Sequence, residues 1–570
     1  MTDLACLGAP NTWAPGTTIA HVLQQRRLSQ PHDRAFRFLD DSGDVETRTW
    51  GQLDSGARAV AATLLELPNG TEQPRALLLL PQDATFLDAL FGCFFAGVCA
   101  VPAHVPVPSR LAQTLPRLQA IISEAQPQVV LTTRELLAAR ALVPELAAIP
   151  CIAVDELDGC DAEVIDVAAT ADDLAILQYS SGSTGSPRGV MVSHRNLMAN
   201  EALIQNAFEH SSSTVVLGWL PFQHDMGLIG NVLQPVFSGA ECVMMTPLQF
   251  LKRPLRWLQE ISRYRVTTSG APNFAYDMCV AAVQHRGATG LDNLDLSSWN
   301  LAFVGAEPVR ATTLDRFAAT FGAVGFRREA FYPCYGLAEA TLMVTGGQRD
   351  ASPGVWRDAR GVDRVSCGPA RDGLEVVIVD DAHEARCQEG VEGEIWVRGS
   401  SVAQGYFGKP QASREAFGAM LDQTSWLRTG DRGCLVADEL YVTGRDKDIV
   451  VRNGVKYAAE DLEHTVEQLR EKSLHPNGCA AFGLDDGSRE RLVIVAEIAR
   501  GADDAWGEVA DRIVIAIAAA HGAPPDEVAL VNRGGIPRTT SGKVRRGECR
   551  AQYGRDEMSE VHRYVTGRST

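Results

Sequence analysis

The chain has 570 residues, of which 45% are hydrophobic and 22% charged, and its net charge is −18. Because domains seldom exceed about 250 residues, we expect a large body built of subdomains and at least one smaller domain. The strong negative charge makes nucleic acid a poor candidate partner, since an acidic surface repels phosphates. Any phosphate site must therefore be local, built from backbone NH groups, a metal and a few basic side chains.

The cysteines and the apolar stretches indicate the compartment. The 13 cysteines include no Cys-x-x-Cys pair, which favours free thiols in a reducing compartment over a zinc site or a disulfide framework. Residues 1–10 lack the basic and apolar regions of a secretory signal. The longest uncharged apolar stretch, 89–103, is shorter than the roughly 18–20 residues that span a bilayer, so we expect a buried helix there. We predict a cytoplasmic protein with no transmembrane segment.

In chain order, short apolar runs alternate with segments of helical length. Strands are predicted at 76–80, 174–179, 190–192 and 301–304, and helices from residue 83 onward and from 194 to about 208, the latter capped by Ser193. Strands and helices that alternate in this way are typical of an α/β fold with buried parallel strands.

The pattern changes near residue 374, where short strands joined by turns predict a β-rich subdomain. These strands are expected at 374–379, 394–397 and 440–442. After a break at residues 444–448 (GRDKD), an α+β pattern follows, with strands at 449–451, 480–482 and 492–498 and helices at 459–469 and 504–520. We therefore expect a large domain (1–443) of two α/β subdomains and a β-rich one, a hinge (444–448), and a small, mobile α+β lid (449–570).

A loop of small residues follows the strand predicted at 174–179. Residues 179–189 read YSSGSTGSPRG, in which the glycines let the backbone approach a ligand closely. Hydroxyl groups at Ser181, Ser183 and Thr184 and the cation of Arg188 add donors. The Walker A spacing is absent. The loop predicts phosphate binding, with a flexible surface turn as the alternative.

Two further segments suit a nucleotide. In residues 331–341 (FYPCYGLAEAT), Tyr335 stands beside a glycine and suits stacking on a purine, and the Glu339 carboxylate suits Mg²⁺. In residues 426–431 (WLRTGD), Asp431 suits hydrogen bonds from ribose hydroxyls. Taken alone, each segment is more typical of an ordinary structural turn than of a binding site.

The fourth segment lies near the C-terminus. Residues 536–546 read IPRTTSGKVRR, in which small residues present Lys543 on a loop. One flexible ammonium suits the neutralisation of a carboxylate and of a developing phosphate charge. A basic surface loop on an acidic protein is the alternative.

Together, these four motifs resemble the adenylate-forming superfamily of acyl-CoA synthetases, luciferases and adenylation domains, over nearly the whole chain. The resemblance implies that ATP phosphates bind Ser180, Ser181, Gly182, Ser183, Thr184, Gly185 and Arg188, the last usually a lysine in the family. It implies an adenine pocket formed by Gly305, Ala306, Glu307, Tyr335, Gly336, Leu337 and Ala338. It also implies magnesium ligation by Glu339 and Thr184, ribose contacts by Asp431 and Arg445, catalysis by Lys543 and Glu339, and a hinge at Lys447.

Four more segments are similar to the fatty acyl-AMP ligase branch: 219–228 (WLPFQHDMGL), 270–277 (GAPNFAYD), 393–397 (GEIWV) and 402–406 (VAQGY). This similarity implies activation of a medium- or long-chain fatty acid as acyl-AMP. The acyl group then passes to the phosphopantetheine of a carrier protein, or of a polyketide or nonribosomal peptide synthetase, in trans. It implies a catalytic role for His224, with a satisfied core histidine as the alternative, and an acyl pocket of Asp225, Met226, Gly227, Phe274 and Met278.

One departure leaves the acceptor open. The branch usually carries a long insertion, associated with restraint of the small domain and rejection of coenzyme A, where this chain has the short segment 347–365. A fatty acyl-CoA synthetase that uses free coenzyme A is therefore the second hypothesis. An amino-acid adenylation enzyme fits the 219–228 segment poorly. A non-catalytic nucleotide- or lipid-binding paralogue predicts the loss of Lys543 or Glu339, and both are present.

Overall fold

The computed structural model describes residues 13–43, 45–67, 73–106, 111–138, 143–157, 166–180, 187–286, 290–359, 361–380, 383–452, 455–469, 471–485, 490–499, 506–539 and 542–565. The structure consists of two α/β subdomains, a β-rich subdomain and a smaller α+β unit, which confirms the predicted fold class. Elements α1 to β22 are called the large domain and elements β23 to β28 the small domain.

The two α/β subdomains contain most of the helices. The first part of the chain forms α1 (Ile19–Ser29), β1 (Arg34–Leu39), β2 (Val45–Thr49), α2 (Trp50–Leu65), β3 (Arg75–Leu78), α3 (Ala84–Ala96), β4 (Cys99–Pro102), α4 (Leu111–Ala125), β5 (Val129–Thr132), α5 (Arg134–Ala138), β6 (Cys151–Ala153), β7 (Leu174–Ser180), β8 (Arg188–Ser193) and α6 (His194–Phe208). It is followed by β9 (Val215–Gly218), a π-helix (Met226–Leu233), α7 (Gln234–Ser238), β10 (Glu241–Met244), α8 (Pro247–Lys252), α9 (Pro254–Tyr264), β11 (Thr268–Ala271), α10 (Asn273–Arg286), β12 (Leu301–Val304), α11 (Ala311–Phe321), β13 (Phe331–Gly336) and β14 (Met343–Gly346).

Two mainly parallel sheets organise these elements. One has six strands in the order β6-β5-β3-β4-β7-β8, with only the β7–β8 pair antiparallel. The other has eight strands in the order β14-β13-β12-β11-β9-β10-β1-β2, parallel in the middle and antiparallel at both edges. The expected buried parallel strands are confirmed, because apolar runs such as Leu301–Val304 are buried on both faces.

The helix cap predicted at Ser193 is confirmed, whereas the helix expected at 89–103 is confirmed only in its first half. The Ser193 hydroxyl caps α6 by accepting the Asn196 backbone NH at 3.1 Å. The buried helix expected at 89–103 is wrong in its second half. The helix ends at Gly97, whose φ of +70° is left-handed, and strand β4 follows it. A glycine that adopts this conformation is a common helix terminator.

The β-rich subdomain contains the strands predicted beyond residue 374. Its elements are β15 (Val355–Arg357), β16 (Asp363–Val365), β17 (Leu374–Asp380), β18 (Ala385–Arg386), β19 (Gly393–Gly399), α12 (Pro410–Phe417), β20 (Ala419–Leu421), β21 (Thr424–Val436) and β22 (Glu439–Arg445). An antiparallel sheet runs in the order β18-β17-β19-β21-β20, with β22 also paired to β21, and β15 and β16 form a separate hairpin.

The small domain has its own hydrophobic cores and carries the loop that contains Lys543. It comprises β23 (Ile449–Arg452), β24 (Val455–Ala458), α13 (Ala459–Gln468), β25 (Leu474–Asp485), β26 (Glu490–Ile498), α14 (Trp506–His521), β27 (Glu527–Val531), α15 (Arg546–Gly554) and β28 (Glu560–Val565). Strands β25 to β28 form one sheet in chain order, and two apolar clusters pack on its two faces. In the described part of the chain, no helix combines the length and apolar character needed to cross a membrane.

Candidate active site

A cleft of about 2100 Å³ lies between the large and small domains. Strands β12 and β13 are parallel neighbours, so the segments that follow Val304 and Gly336 meet at one edge of the sheet. Ligands of parallel sheets bind at this carboxyl edge. The topology thus brings two of the predicted motifs, separated by some thirty residues, to the floor of one cleft.

The residues of the predicted adenine pocket line this cleft: Gly305, Ala306, Glu307, Tyr335, Gly336, Leu337 and Ala338. Ala306 has φ of +67°, a left-handed conformation that costs an alanine energy and often marks a functional site. The Glu307 carboxylate accepts a hydrogen bond from the backbone NH of Phe274 at 3.3 Å, which ties this segment to the start of α10.

Tyr335, Asp431 and Arg445 form one polar group at the wall of the cleft. Asp431 and Arg445 are cross-strand partners in β21 and β22. The Tyr335 hydroxyl donates to Asp431 Oδ2 at 2.9 Å, and Arg445 Nε lies 2.6 Å from Asp431 Oδ1. Asp431 raises the pKa of Arg445, and burial followed by Asp431 raises that of Tyr335. The Asp431 carboxylate is therefore held at both oxygens, one by the Tyr335 hydroxyl and the other by the ion pair with Arg445.

Glu339 stands beside Tyr406 and Arg188. The Tyr406 hydroxyl donates to Glu339 Oε1 at 2.9 Å, and the Arg188 guanidinium lies 5.2 Å from the centre of the Tyr406 ring. The described ranges contain no group of three or more side chains that could hold a metal ion. A lone half-buried carboxylate in a cleft still fits Mg²⁺, which binds through one or two carboxylates together with phosphate oxygens.

The predicted phosphate loop falls largely outside the described residues. Its members Ser181, Gly182, Ser183, Thr184 and Gly185 belong to the interval 181–186, which is not described. At its two ends, the Ser180 backbone pairs with Arg188 across β7 and β8. The loop therefore starts and finishes at adjacent points on the edge of the six-stranded sheet.

The loop that carries Lys543 reaches into the cleft from the small domain. It is a tight turn, in which the Thr539 NH donates to the Lys543 carbonyl at 2.7 Å and the Lys543 NH donates to the Thr539 hydroxyl at 3.0 Å. Gly542 has φ of +88°, and a Cβ there would lie 3.4 Å from the Phe274 ring. Glycine therefore permits both this backbone conformation and the close approach to α10.

Lys543 lines the same cleft as Asp225 and the Tyr335–Asp431–Arg445 group. Burial lowers the pKa of its ammonium, Asp225 opposes that shift, and Arg445 adds to it. A cation placed in this way can neutralise charge that develops between two bound anions.

His224 and Asp225 precede the π-helix. His224 Nδ1 lies 2.5 Å from Asp225 Oδ1, which also accepts the Met226 NH at 2.7 Å. Burial favours the neutral form of Asp225, but His224 and Lys543 outweigh it and lower the pKa of this carboxyl. The His224 side chain is 31% exposed and lines the cleft, which does not match the alternative of a satisfied core histidine.

Part of the cleft lining is apolar, and this part is called the apolar pocket. It is lined by Ile204, Phe208, Met226, Gly230, Phe303, Leu342 and Met343. Among the predicted acyl-pocket residues, Asp225, Met226 and Phe274 line the cleft. Gly227 instead packs against backbone, since a Cβ there would lie 2.0 Å from the Pro221 carbonyl oxygen, and Met278 packs against the main core. Neither Gly227 nor Met278 is among the described residues that line the cleft.

Sequence reasoning missed several members of this wall. Ile204 and Phe208 lie on α6, outside the quoted motifs, whereas Leu342 and Met343 directly follow the 331–341 segment, where β14 begins. Tyr406 had a detectable signal, because it belongs to the quoted 402–406 segment, although no role was assigned to it. Lys447, the expected hinge residue, lies in a 3₁₀ turn at the cleft, where burial and Arg445 lower its pKa.

Comparison with known proteins agrees with this geometry. The AMP-binding enzyme family matches residues 23–407, and the family described as Disco-interacting protein 2-like, AMP domain, matches residues 447–563. The medium-chain-fatty-acid–[acyl-carrier-protein] ligase JamA of Moorena producens (strain JHB) is 38% identical over 97% of this chain and 98% of its own. TtuA from Teredinibacter turnerae, a ligase of the same description, is 33% identical to this chain. The match covers 97% of this chain and 96% of TtuA.

Among solved structures, the fatty acyl-adenylate ligase from L. pneumophila, in complex with acyl adenylate and pyrophosphate, is 36% identical. The match covers 97% of this chain and 98% of that chain, with a TM-score of 0.72. The sequence motifs, the cleft geometry and these relatives agree, and the chain belongs to the AMP-binding enzyme family, in its fatty acyl-AMP ligase branch.

Proposed function

We propose that the protein uses ATP to activate a medium- or long-chain fatty acid as acyl-AMP, with release of pyrophosphate. The position of Lys543 carries this proposal. Lys543 lines one cleft together with Asp225, the apolar pocket and the Tyr335–Asp431–Arg445 group. A fatty acid whose tail fills the pocket would present its carboxylate at Asp225, next to Lys543.

In the proposed first step, an oxygen of the fatty acid carboxylate attacks the α-phosphorus of ATP. The bond from that phosphorus to the bridging oxygen of pyrophosphate breaks, and pyrophosphate leaves. Two anions must meet, so the contribution of the protein is positioning and charge neutralisation. Lys543 supplies a positive charge at the point where the carboxylate and the α-phosphate approach each other.

Other residues would orient the nucleotide. Asp431, held by Tyr335 and Arg445, would accept hydrogen bonds from the ribose hydroxyls through its remaining lone pairs. The loop from Ser180 to Gly185, together with Arg188, would hold the β- and γ-phosphates. Mg²⁺ held by Glu339 and Thr184 would supply further positive charge at the phosphates.

For the second step, we propose transfer of the acyl group to the phosphopantetheine thiol of a carrier protein in trans. JamA and TtuA, which match along nearly their whole length, are both described as acyl-carrier-protein ligases. The small domain would turn about residues 444–448, with Lys447 at the hinge, to admit the acceptor. Transfer to free coenzyme A is the second candidate, because the family insertion is here reduced to the short hairpin of β15 and β16.

The experiment combines the purified protein with Mg-ATP and saturated fatty acids of increasing length, and identifies the products by mass spectrometry. Parallel reactions contain coenzyme A or a phosphopantetheinylated carrier protein. We expect acyl-AMP, unchanged by coenzyme A and consumed by the carrier. Formation of acyl-CoA would overturn the acceptor assignment alone, whereas the absence of acyl-AMP with every acid would overturn the proposal and favour a non-catalytic paralogue.

A further inference from the structure

The backbone at Thr341 is strained. Thr341 ends the 3₁₀ turn Ala338–Ala340, which carries Glu339, and it has φ of +72° and ψ of −65°. The Leu342 NH donates to the Ala340 carbonyl at 3.0 Å across Thr341, which closes a γ-turn. A γ-turn with positive φ is rare and strained, and a side chain branched at Cβ adds to the strain. Such strain persists only where the surrounding structure fixes it, and it is concentrated at functional sites.

The turn is fixed from outside at three points. The buried Thr341 hydroxyl donates to the Ser401 carbonyl at 2.6 Å. The Ala403 NH donates to the Glu339 carbonyl at 2.9 Å, and the Tyr406 hydroxyl donates to Glu339 Oε1 at 2.9 Å. All three partners lie in the stretch of chain that follows β19, so one segment holds the backbone and the carboxylate of Glu339 together with the strained residue.

The acceptor of the Thr341 hydroxyl is itself held in place. Asn196, in the first turn of α6, is buried, and its Nδ2 donates to the Ser400 carbonyl at 2.9 Å and to the Val402 carbonyl at 3.0 Å. The Ser401 carbonyl therefore lies between two carbonyls that the same amide group binds. A hydrogen bond to such a fixed acceptor can hold the γ-turn in its strained conformation.

We infer that Thr341 is a positioning residue for Glu339, whose carboxylate it keeps in place for Mg²⁺ and the ATP phosphates. The inference rests on the proposed function, which assigns Mg²⁺ to Glu339. Without the hydrogen bond to Ser401, the γ-turn would relax toward an ordinary backbone conformation and displace Glu339, two residues before it. Mg²⁺ tolerates little departure from octahedral geometry, so a small displacement of this carboxylate should weaken its contact with the ion.

The test compares the affinity of the full-length protein for ATP with and without Mg²⁺, by calorimetry and without fatty acid. The ratio of the two dissociation constants, called the magnesium effect, reports how much Mg²⁺ strengthens ATP binding. Thr341→Val keeps the branched shape of the side chain but removes the donor. We expect it to reduce the magnesium effect roughly 10- to 100-fold, as is typical for the loss of a residue that orients a metal ligand. Thr341→Ser keeps the donor and should restore the magnesium effect.

Thr345→Val is the matched control. Thr345 is also buried, and its hydroxyl donates to the Cys367 carbonyl at 2.7 Å, but it lies in the extended backbone of β14. This substitution removes the same kind of hydrogen bond, so it should destabilise the protein against urea and leave the magnesium effect unchanged. A wild-type magnesium effect in Thr341→Val, or an equal reduction in Thr345→Val, would overturn the inference.

Glu339→Gln separates this inference from the proposed function. If Glu339→Gln loses the magnesium effect while Thr341→Val keeps it, only the inference is refuted. A wild type whose ATP affinity does not depend on Mg²⁺ refutes both the inference and the proposed role of Glu339. Formation of acyl-AMP is measured in the same preparations. A wild type that forms none refutes the proposed function, and the magnesium effects still decide the role of Thr341.

Discussion

Arg364 of the large domain and Asp461 of the small domain form a bidentate ion pair, with N···O distances of 2.9 and 2.7 Å. Arg364 lies in β16, is 5% exposed and also donates to Asp358 at 3.1 Å. Arg310 and Glu467 form a second ion pair between the domains. Asp461 and Glu467 both belong to α13, so the two pairs fix this helix on the large domain while Lys543 occupies the cleft.

Replacement of Arg364 by glutamine should weaken docking of the small domain. The free energy of docking should become less favourable by about 1.5–3 kcal/mol, the range for hydrogen bonds to charged groups. Acyl-AMP formation in a single turnover should therefore slow by roughly 10-fold or more. The matched control is Arg357→Gln in the same hairpin, whose side chain is 72% exposed and lies 3.8 Å from Asp363. Equal rates for the two variants would show that the ion pair does not support the closed arrangement.

The hydrogen bond from Tyr335 to Asp431 should support both stability and ATP binding. Asp431 is 3% exposed, so Tyr335→Phe leaves a buried carboxylate oxygen with one donor fewer. We expect a loss of about 1–3 kcal/mol in the free energy of unfolding, measured with urea, and a higher KM for ATP. Tyr441→Phe, which removes a hydroxyl that donates to Glu439 at 3.2 Å, is the control. The KM for ATP should stay unchanged there, and an equal rise in both variants would refute a local role.

The pH dependence of the first step should report Lys543. An ammonium carries its charge only below its pKa, and burial lowers that pKa below the ordinary value of 10.5. The rate of pyrophosphate release should therefore fall as pH rises through this lowered pKa. In Lys543→Arg, the guanidinium keeps its charge, so the alkaline decline should move to higher pH even if the rate is lower throughout. If the rate declines at the same alkaline pH in the wild type and in Lys543→Arg, and circular dichroism shows that both are folded, no charge is required at this position.

Gly230 should limit the length of the acyl chain. A Cβ at this position would have one neighbour within 4 Å, Leu342 Cδ2 at 3.5 Å, so Gly230→Ala should be tolerated. Gly230→Leu should fill the pocket and shift the preference to shorter fatty acids. Each methylene that the pocket no longer buries costs about 0.8 kcal/mol, or roughly fourfold in kcat/KM. The comparison of kcat/KM across a series of fatty acids gives the result, and an unchanged length profile in Gly230→Leu would place the acyl chain elsewhere.

Local signals in the sequence predicted much of the fold. The strand at 301–304 and the helix from 194 to 208 follow from a short apolar run and from a cap at Ser193, both readable without tertiary information. The helix expected at 89–103 failed, because an uninterrupted apolar stretch suits a buried helix and a buried strand equally. The left-handed conformation of Gly97 decides where the helix ends and the strand follows.

The site was predictable only in part, for a related reason. The sequence predicts a role for Tyr335 and for Asp431 separately. It does not predict the hydrogen bond between them, because the two residues are 96 positions apart. The Arg364–Asp461 pair carries no local signal, since an arginine in a hairpin resembles any surface cation. Only the packing of the two domains brings Asp461 to Arg364.

Fatty-acid-dependent exchange of labelled pyrophosphate into ATP tests the central claim most directly, because it requires reversible formation of acyl-AMP and no acceptor. We expect exchange that depends on both Mg²⁺ and a fatty acid. It should fall about 10²–10³-fold in Lys543→Ala, as after the loss of one preorganised charge donor, and persist in Lys472→Ala, which removes an exposed lysine of the same domain. Absence of exchange with every fatty acid, or exchange that needs no acid, would show that the protein does not form acyl-AMP from a fatty acid.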